Sequence, residues 1–78
     1  DRNEMSSKRR ARAVARPRQV AMYLAKVMTP RSYPEIGRKF GGRDQSTVIH
    51  AVKLVEHLRG EDSELDNDVR MLVRQLES

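Results

Sequence analysis

The residues best suited to recognition chemistry in this 78-residue chain lie in one short run, Arg43-Asp44-Gln45-Ser46-Thr47, directly after Gly41-Gly42. Their polar groups can donate to or accept from the edges of bases, and the Thr47 methyl can meet that of thymine. Helix capping explains Asp44 in part, but capping does not require three further polar residues beside an arginine. Sets that would do covalent or metal chemistry are weaker. His50 and His57 stand seven positions apart, wider than the i, i+4 pair of a helical zinc site. Asp62, Glu64, Asp66 and Asp68 alternate like a calcium loop, yet the glycine and closing glutamate of that loop are missing, and their charges suit a helix N-terminus instead. The chain has no Cys, which excludes disulfides, thiolate catalysis and cysteine zinc sites. We therefore expect no catalytic residue, no metal ligand and no enzyme.

Charge supports a polyanionic partner. Residues 1–43 carry twelve Lys or Arg against Asp1, Glu4 and Glu35, whereas residues 44–78 carry four against eight acids, so the overall +5 splits into +9 and −4. A basic half joined to an acidic half fits a polyanion approached from one side. Phosphates would meet the run Lys8-Arg9-Arg10-Ala11-Arg12, then Arg16, Arg18, Lys26, Arg31, Arg38, Lys39 and Arg43. These contacts set affinity and register, while the Asp44–Thr47 turn sets specificity. One arginine of the basic run, Arg10, is the candidate for a narrow, A/T-rich minor groove. Only one Phe and two Tyr are present, too few for a ring-lined cofactor pocket or a base-stacking platform.

The elements that must position these residues read as helices. Residues 1–15 form a basic arm or loop without apolar periodicity, and residues 16–78 form one domain. A first helix runs from about Arg16 to Met28, with Pro17 in its first turn and the stripe Val20, Leu24, Val27, Met28. Thr29-Pro30 ends it. Ser32 and Glu35 make a capping box, with Pro34 in the first turn of a short helix that buries Ile36 and Phe40 and stops at Gly41-Gly42. Asp44 caps a third helix with the stripe Val48, Ala51, Val52, Val55, Leu58, which Gly60 terminates. A last helix carries Leu65, Val69, Leu72 and Leu76. The fold class is all-α, a small helical bundle containing a helix-turn-helix preceded by a basic loop, whose second helix would enter the major groove. His50 is expected to pack against or near the helix-turn-helix core, and His57 to lie on a polar face.

Arg-Pro-Arg-Gln at 16–19, Pro-Glu-Ile-Gly at 34–37, and Gly-Gly-Arg-Asp-Gln-Ser-Thr-Val at 41–48 followed by His50-Ala51 resemble the C-terminal DNA-binding domain of the bacterial chromosomal replication initiator DnaA, over roughly residues 7–60. The Gly-Gly-Arg-Asp block is that family's signature. The resemblance implies binding to short A/T-rich origin boxes in the initiation and regulation of chromosome replication. It aligns Arg10 with the family's minor-groove arginine. It places Arg18, Gln19, Lys26 and Pro34 at backbone-contact positions, and Arg43, Asp44, Ser46 and Thr47 in the recognition turn. Lys8, Arg9 and Tyr33 complete the expected backbone contacts. Gln45 stands where the family usually has His, and a Gln amide can pair with adenine through two hydrogen bonds, which shifts preference at one base pair. The family's ATP-binding motor domain has no counterpart here, so no cofactor is expected in this chain, and the abrupt start at Asp1 suggests a fragment of a longer protein.

Two other readings compete: a helix-turn-helix transcriptional regulator, and a basic module that docks on a protein or an acidic membrane. No apolar run is long enough to cross a bilayer. The expected partner is double-stranded DNA, with regulatory proteins docking on the acidic last helix. The isolated domain is expected to be monomeric, and the protein cytoplasmic and nucleoid-associated.

Overall fold

The computed structural model describes the backbone of residues 2–78 and the side chains of residues 7–78. Four helices follow one another: α1 (Arg2–Met28), α2 (Tyr33–Lys39), α3 (Gln45–Glu61) and α4 (Ser63–Glu77). Helix α3 lies at the centre and touches each of the other three. Its buried stripe of Val48, Ala51, Val52 and Val55 meets Val20, Met22, Tyr23 and Leu24 of α1, Ile36 of α2 and Val69 of α4. Burying such side chains contributes roughly 1.5 to 3 kcal/mol each, and it is the main force holding four short helices together. No helix among the described residues is long and apolar enough to cross a membrane.

Several expectations are corrected by this arrangement. The anticipated N-terminal loop is helical, because α1 begins at Arg2 and runs without a break through Pro17. Ala11, Ala13, Ala15 and the neighbouring Arg and Lys residues are strong helix formers, and that propensity acts without any apolar stripe. Pro17 is therefore an interior residue rather than a first-turn one. It forfeits the bond to the Ala13 carbonyl, a loss eased by the exposure of both residues to water. Gly60 does not end α3. The helix continues to Glu61, and Asp62 makes the break: its amide donates to the Leu58 carbonyl at 2.7 Å, and its carboxylate accepts the amides of Glu64 and Leu65, both at 3.1 Å.

The apolar stripes are also only partly buried. Val27 is 52% exposed and Leu76 62%, and Phe40 is half-buried against the core rather than inside it. An open apolar groove lies between Pro17, Ala21 and Leu24 of α1 on one side and Leu65 and Leu72 of α4 on the other. His50 is exposed on α3 rather than packed in the core, and His57 is exposed beside Glu61 at 3.3 Å.

Candidate nucleic-acid interface

The corner between α2 and α3 is built almost wholly from local backbone bonds. At its entry the Ser32 hydroxyl accepts the Glu35 amide at 3.3 Å and the Glu35 carboxylate accepts the Ser32 amide at 3.0 Å, the reciprocal capping box that the sequence predicts. Hydrogen bonding to the carboxylate by the Ser32 amide first, then by the Ser32 side chain, holds the Glu35 carboxyl below the usual carboxylate range. The chain then turns through Gly41 (φ 86°) and Gly42 (φ 75°), the left-handed region where a side chain would be strained. Returning, Arg43 donates its amide to the Gly37 carbonyl at 2.8 Å. A Cβ on Gly37 would overlap the Arg43 carbonyl oxygen, so only glycine lets the turn seat this closely on α2. The Pro-Glu-Ile-Gly pattern marks this glycine in the sequence, yet nothing local reveals the close approach.

The run Arg43–Thr47 then opens α3 with every residue exposed. Asp44 takes the N-cap backbone position, its carbonyl accepting the Thr47 amide at 3.0 Å, but its carboxylate makes no cap bond and accepts the Ser46 hydroxyl at 3.0 Å instead. The side-chain cap that the sequence predicts is thus replaced by a link between two candidate base-reading residues.

A match over residues 1–55 to the family described as bacterial dnaA protein helix-turn-helix covers this corner and most of α3. The chain belongs to that family. It is 73% identical over its full length to the chromosomal replication initiator protein DnaA of Sphingopyxis alaskensis, spanning 17% of that protein. It is 64% identical to the protein of the same name from Zymomonas mobilis over 95% of the chain, and 60% identical to that of Caulobacter vibrioides over 94%, spanning 15% of each.

Within this dnaA helix-turn-helix domain, the remaining candidates lie on α1 and the start of α2. Lys8, Arg9 and Arg10 sit on the N-terminal part of α1, where residues 7–14 are all exposed and none joins the core. Arg18, Gln19 and Lys26 are half-buried on the packed part of α1, and Gln19 accepts an Arg16 guanidinium hydrogen at 3.3 Å. Tyr33 is half-buried and Pro34 exposed at the start of α2. Lys26 reaches across the α1–α2 corner, where its ammonium lies 4.5 Å from the centroid of the Tyr33 ring.

The far end of α3 holds a polar cluster that sequence reasoning misses. Arg59 donates to Asp66 at 2.6 Å and to the Tyr23 hydroxyl at 2.8 Å, and Arg70 donates to the other Asp66 oxygen at 2.8 Å. The Arg59 hydrogen bond, then that of Arg70, lowers the Asp66 carboxyl, and Asp66 and Tyr23 in turn raise Arg59. Tyr23 and Arg59 are 36 positions apart, so no spacing rule could pair them.

Proposed function

We propose that this domain binds double-stranded DNA in the initiation and regulation of bacterial chromosome replication, by reading short A/T-rich origin boxes. The observation that carries the reading is the exposed Arg43–Thr47 run at the N-terminus of a helix that the buried Val48, Ala51 and Val52 anchor in the core directly behind it. It joins free donors and acceptors to a rigid support, as a recognition helix in the major groove requires. Arg43, Asp44, Gln45, Ser46 and Thr47 read base edges. Lys8, Arg9, Arg18, Gln19, Lys26, Tyr33 and Pro34 meet the sugar-phosphate backbone. The basic first half of the chain supports contact with phosphates, and the names of the relatives support a part in replication initiation.

Arg10 serves the minor groove. An α-helix is about 10 Å wide with its side chains and the groove about 6 Å, so the arm cannot enter as a helix. Lys8, Arg12 and Arg16 follow one another at i, i+4 spacing, a like-charge series that weakens the helix and lowers the cost of opening it. Residues 7–15 therefore unwind when Arg10 inserts. The domain needs no cofactor and catalyses nothing; it works in the cytoplasm on nucleoid DNA.

Selection of bound duplexes from a random pool, followed by competition over single-base variants, tests the reading. An A/T-rich box should emerge, and Thr47→Ala should lose about 1 to 3 kcal/mol of discrimination while non-specific binding stays nearly level. Gln45→His should change preference at one position only. Recovery of no preferred sequence, or identical profiles for the parent and both variants, would remove the recognition role of this turn. Binding to acidic vesicles without binding to duplexes would point to the membrane reading instead.

A further inference from the structure

Tyr33 packs against the core with one ring face turned to Lys26, whose ammonium lies 4.5 Å from the ring centroid. The same ammonium donates to the Arg31 carbonyl oxygen at 3.4 Å. Lys26 belongs to the last turn of α1 and Tyr33 opens α2, so both partners sit at the corner where the chain enters the helix-turn-helix. The capping box of Ser32 and Glu35 and the fixed φ of Pro34 hold the Tyr33 backbone in place. We propose that Tyr33 is the positioning residue for the Lys26 ammonium at the DNA backbone, acting through its ring face and not its hydroxyl.

The inference rests on the duplex reading above and assigns Tyr33 a role different from the direct phosphate contact expected of it. A free lysine loses much rotamer freedom when it docks on a phosphate. Here that loss is incurred on folding. The ring presents a neutral, electron-rich face, which fixes the cation without cancelling its charge. A carboxylate in the same place would hold Lys26 equally well but would also repel the incoming phosphate. One ammonium hydrogen is committed to Arg31, and the ring covers one side.

The test titrates a duplex carrying the selected box across a range of salt, with Tyr33→Leu and Tyr33→Phe each made in the parent and in Lys26→Ala. Leu keeps the apolar packing and removes the ring. Tyr33→Leu should weaken binding about three- to tenfold while the salt slope stays the same, because the phosphate contact itself survives. Tyr33→Phe, which keeps the ring face, should restore the lost affinity. In Lys26→Ala, Tyr33→Leu should cause no further loss. Three results would overturn the proposal: Tyr33→Phe as weak as Tyr33→Leu, which assigns the contact to the hydroxyl; equal losses in the presence and absence of Lys26, which makes Tyr33 merely structural; or parental affinity in Tyr33→Leu. A second measurement needs no DNA. In the free protein the Lys26 Cε protons should be shifted upfield by the ring in the parent and in Tyr33→Phe, and unshifted protons in the parent would also overturn it. A parent that binds no duplex at any salt removes the duplex reading itself, and the proton shift then reports the Lys26–Tyr33 contact separately.

Discussion

The two ends of α3 are about 24 Å apart along one continuous helix, and they dispose of their polar side chains in opposite ways. At the N-terminal end, backbone bonds and glycines hold the turn: Gly41, Gly42 and the Arg43 amide on the Gly37 carbonyl. The side chains from Arg43 to Thr47 are left exposed. At the C-terminal end the side chains do the holding, with Arg59 shared between Asp66 and Tyr23, and their polar groups are consumed by one another. A turn set by backbone can spare its side chains for a ligand. A junction set by side chains joins α1, α3 and α4 but has less left to offer an outside partner.

Salt should separate the two ends most widely. With about six to eight phosphate contacts from the basic half, the log-log slope of duplex affinity against salt should be about −5 to −7, a loss of thousands-fold over the range from dilute to physiological buffer. Lys26→Ala, beside the recognition corner, should reduce the slope by about one, and Arg74→Ala on α4 should leave it as it was. Equal reductions from both would erase the distinction between the ends, and fluorescence anisotropy at five or six salt concentrations is enough to see it.

Glycine substitutions should differ in sign. Gly37→Ala forces a Cβ into the Arg43 carbonyl and should cost about 1 to 3 kcal/mol in denaturant unfolding, with duplex affinity falling alongside as the turn shifts. Gly60 lies inside α3 near its other end, with ordinary helical φ and open space where a Cβ would go. Gly60→Ala should stabilise by about 0.5 to 1 kcal/mol and leave affinity unchanged. A stabilising Gly37→Ala would refute the close approach of the turn.

Tyr23→Phe probes the side-chain junction alone. It strips Arg59 of one acceptor while keeping the buried ring, and should cost about 1 kcal/mol in thermal unfolding without altering the affinity or specificity of the folded protein. Lost specificity in this variant would mean that the junction reaches the recognition turn through α3.

The smallest effect is one of pH. Glu35 and Asp66 both have carboxyls held below the usual range in the folded state, so the unfolded chain takes up protons first as the solution is acidified. Their contributions are complete above the unfolded carboxylate pKa, near 4, and are lost as pH falls from there through the lower folded values. Arg59 is raised from a value already beyond physiological pH and adds no dependence there. Both carboxyls meet solvent, so screening keeps the effect modest. Glu35→Gln and Asp66→Asn should each flatten the acid limb of a stability-versus-pH curve, measured between pH 2 and 6, and leave its neutral part level.

Legibility followed the range of the interaction. The capping box at Ser32 and Glu35, the positive φ at Gly41 and Gly42, and the apolar stripe of α3 are set within four or five residues, and each is legible in the sequence. The helix in the basic arm is hard to read from the sequence because its alanines and arginines favour a helix by propensity while lacking the periodicity that marks a packed one. Gly60 misleads for a related reason. A glycine near a helix end commonly terminates it, but here Asp62 supplies the cap and Gly60 is never required to leave helical geometry.

By itself the sequence determined four helical segments less the arm, the corner that presents Arg43–Thr47, the split between basic and acidic halves, and the family. Only the tertiary structure decided which side chains remain free. It committed Arg59 to Tyr23 and Asp66, gave Lys26 a ring to rest on, left His50 and Val27 in water, and made Gly37 the point where the turn touches α2. The division has a physical basis. Backbone dihedrals and caps respond to neighbours a few residues away, whereas burial and side-chain pairing depend on which helix faces arrive together after the chain has folded.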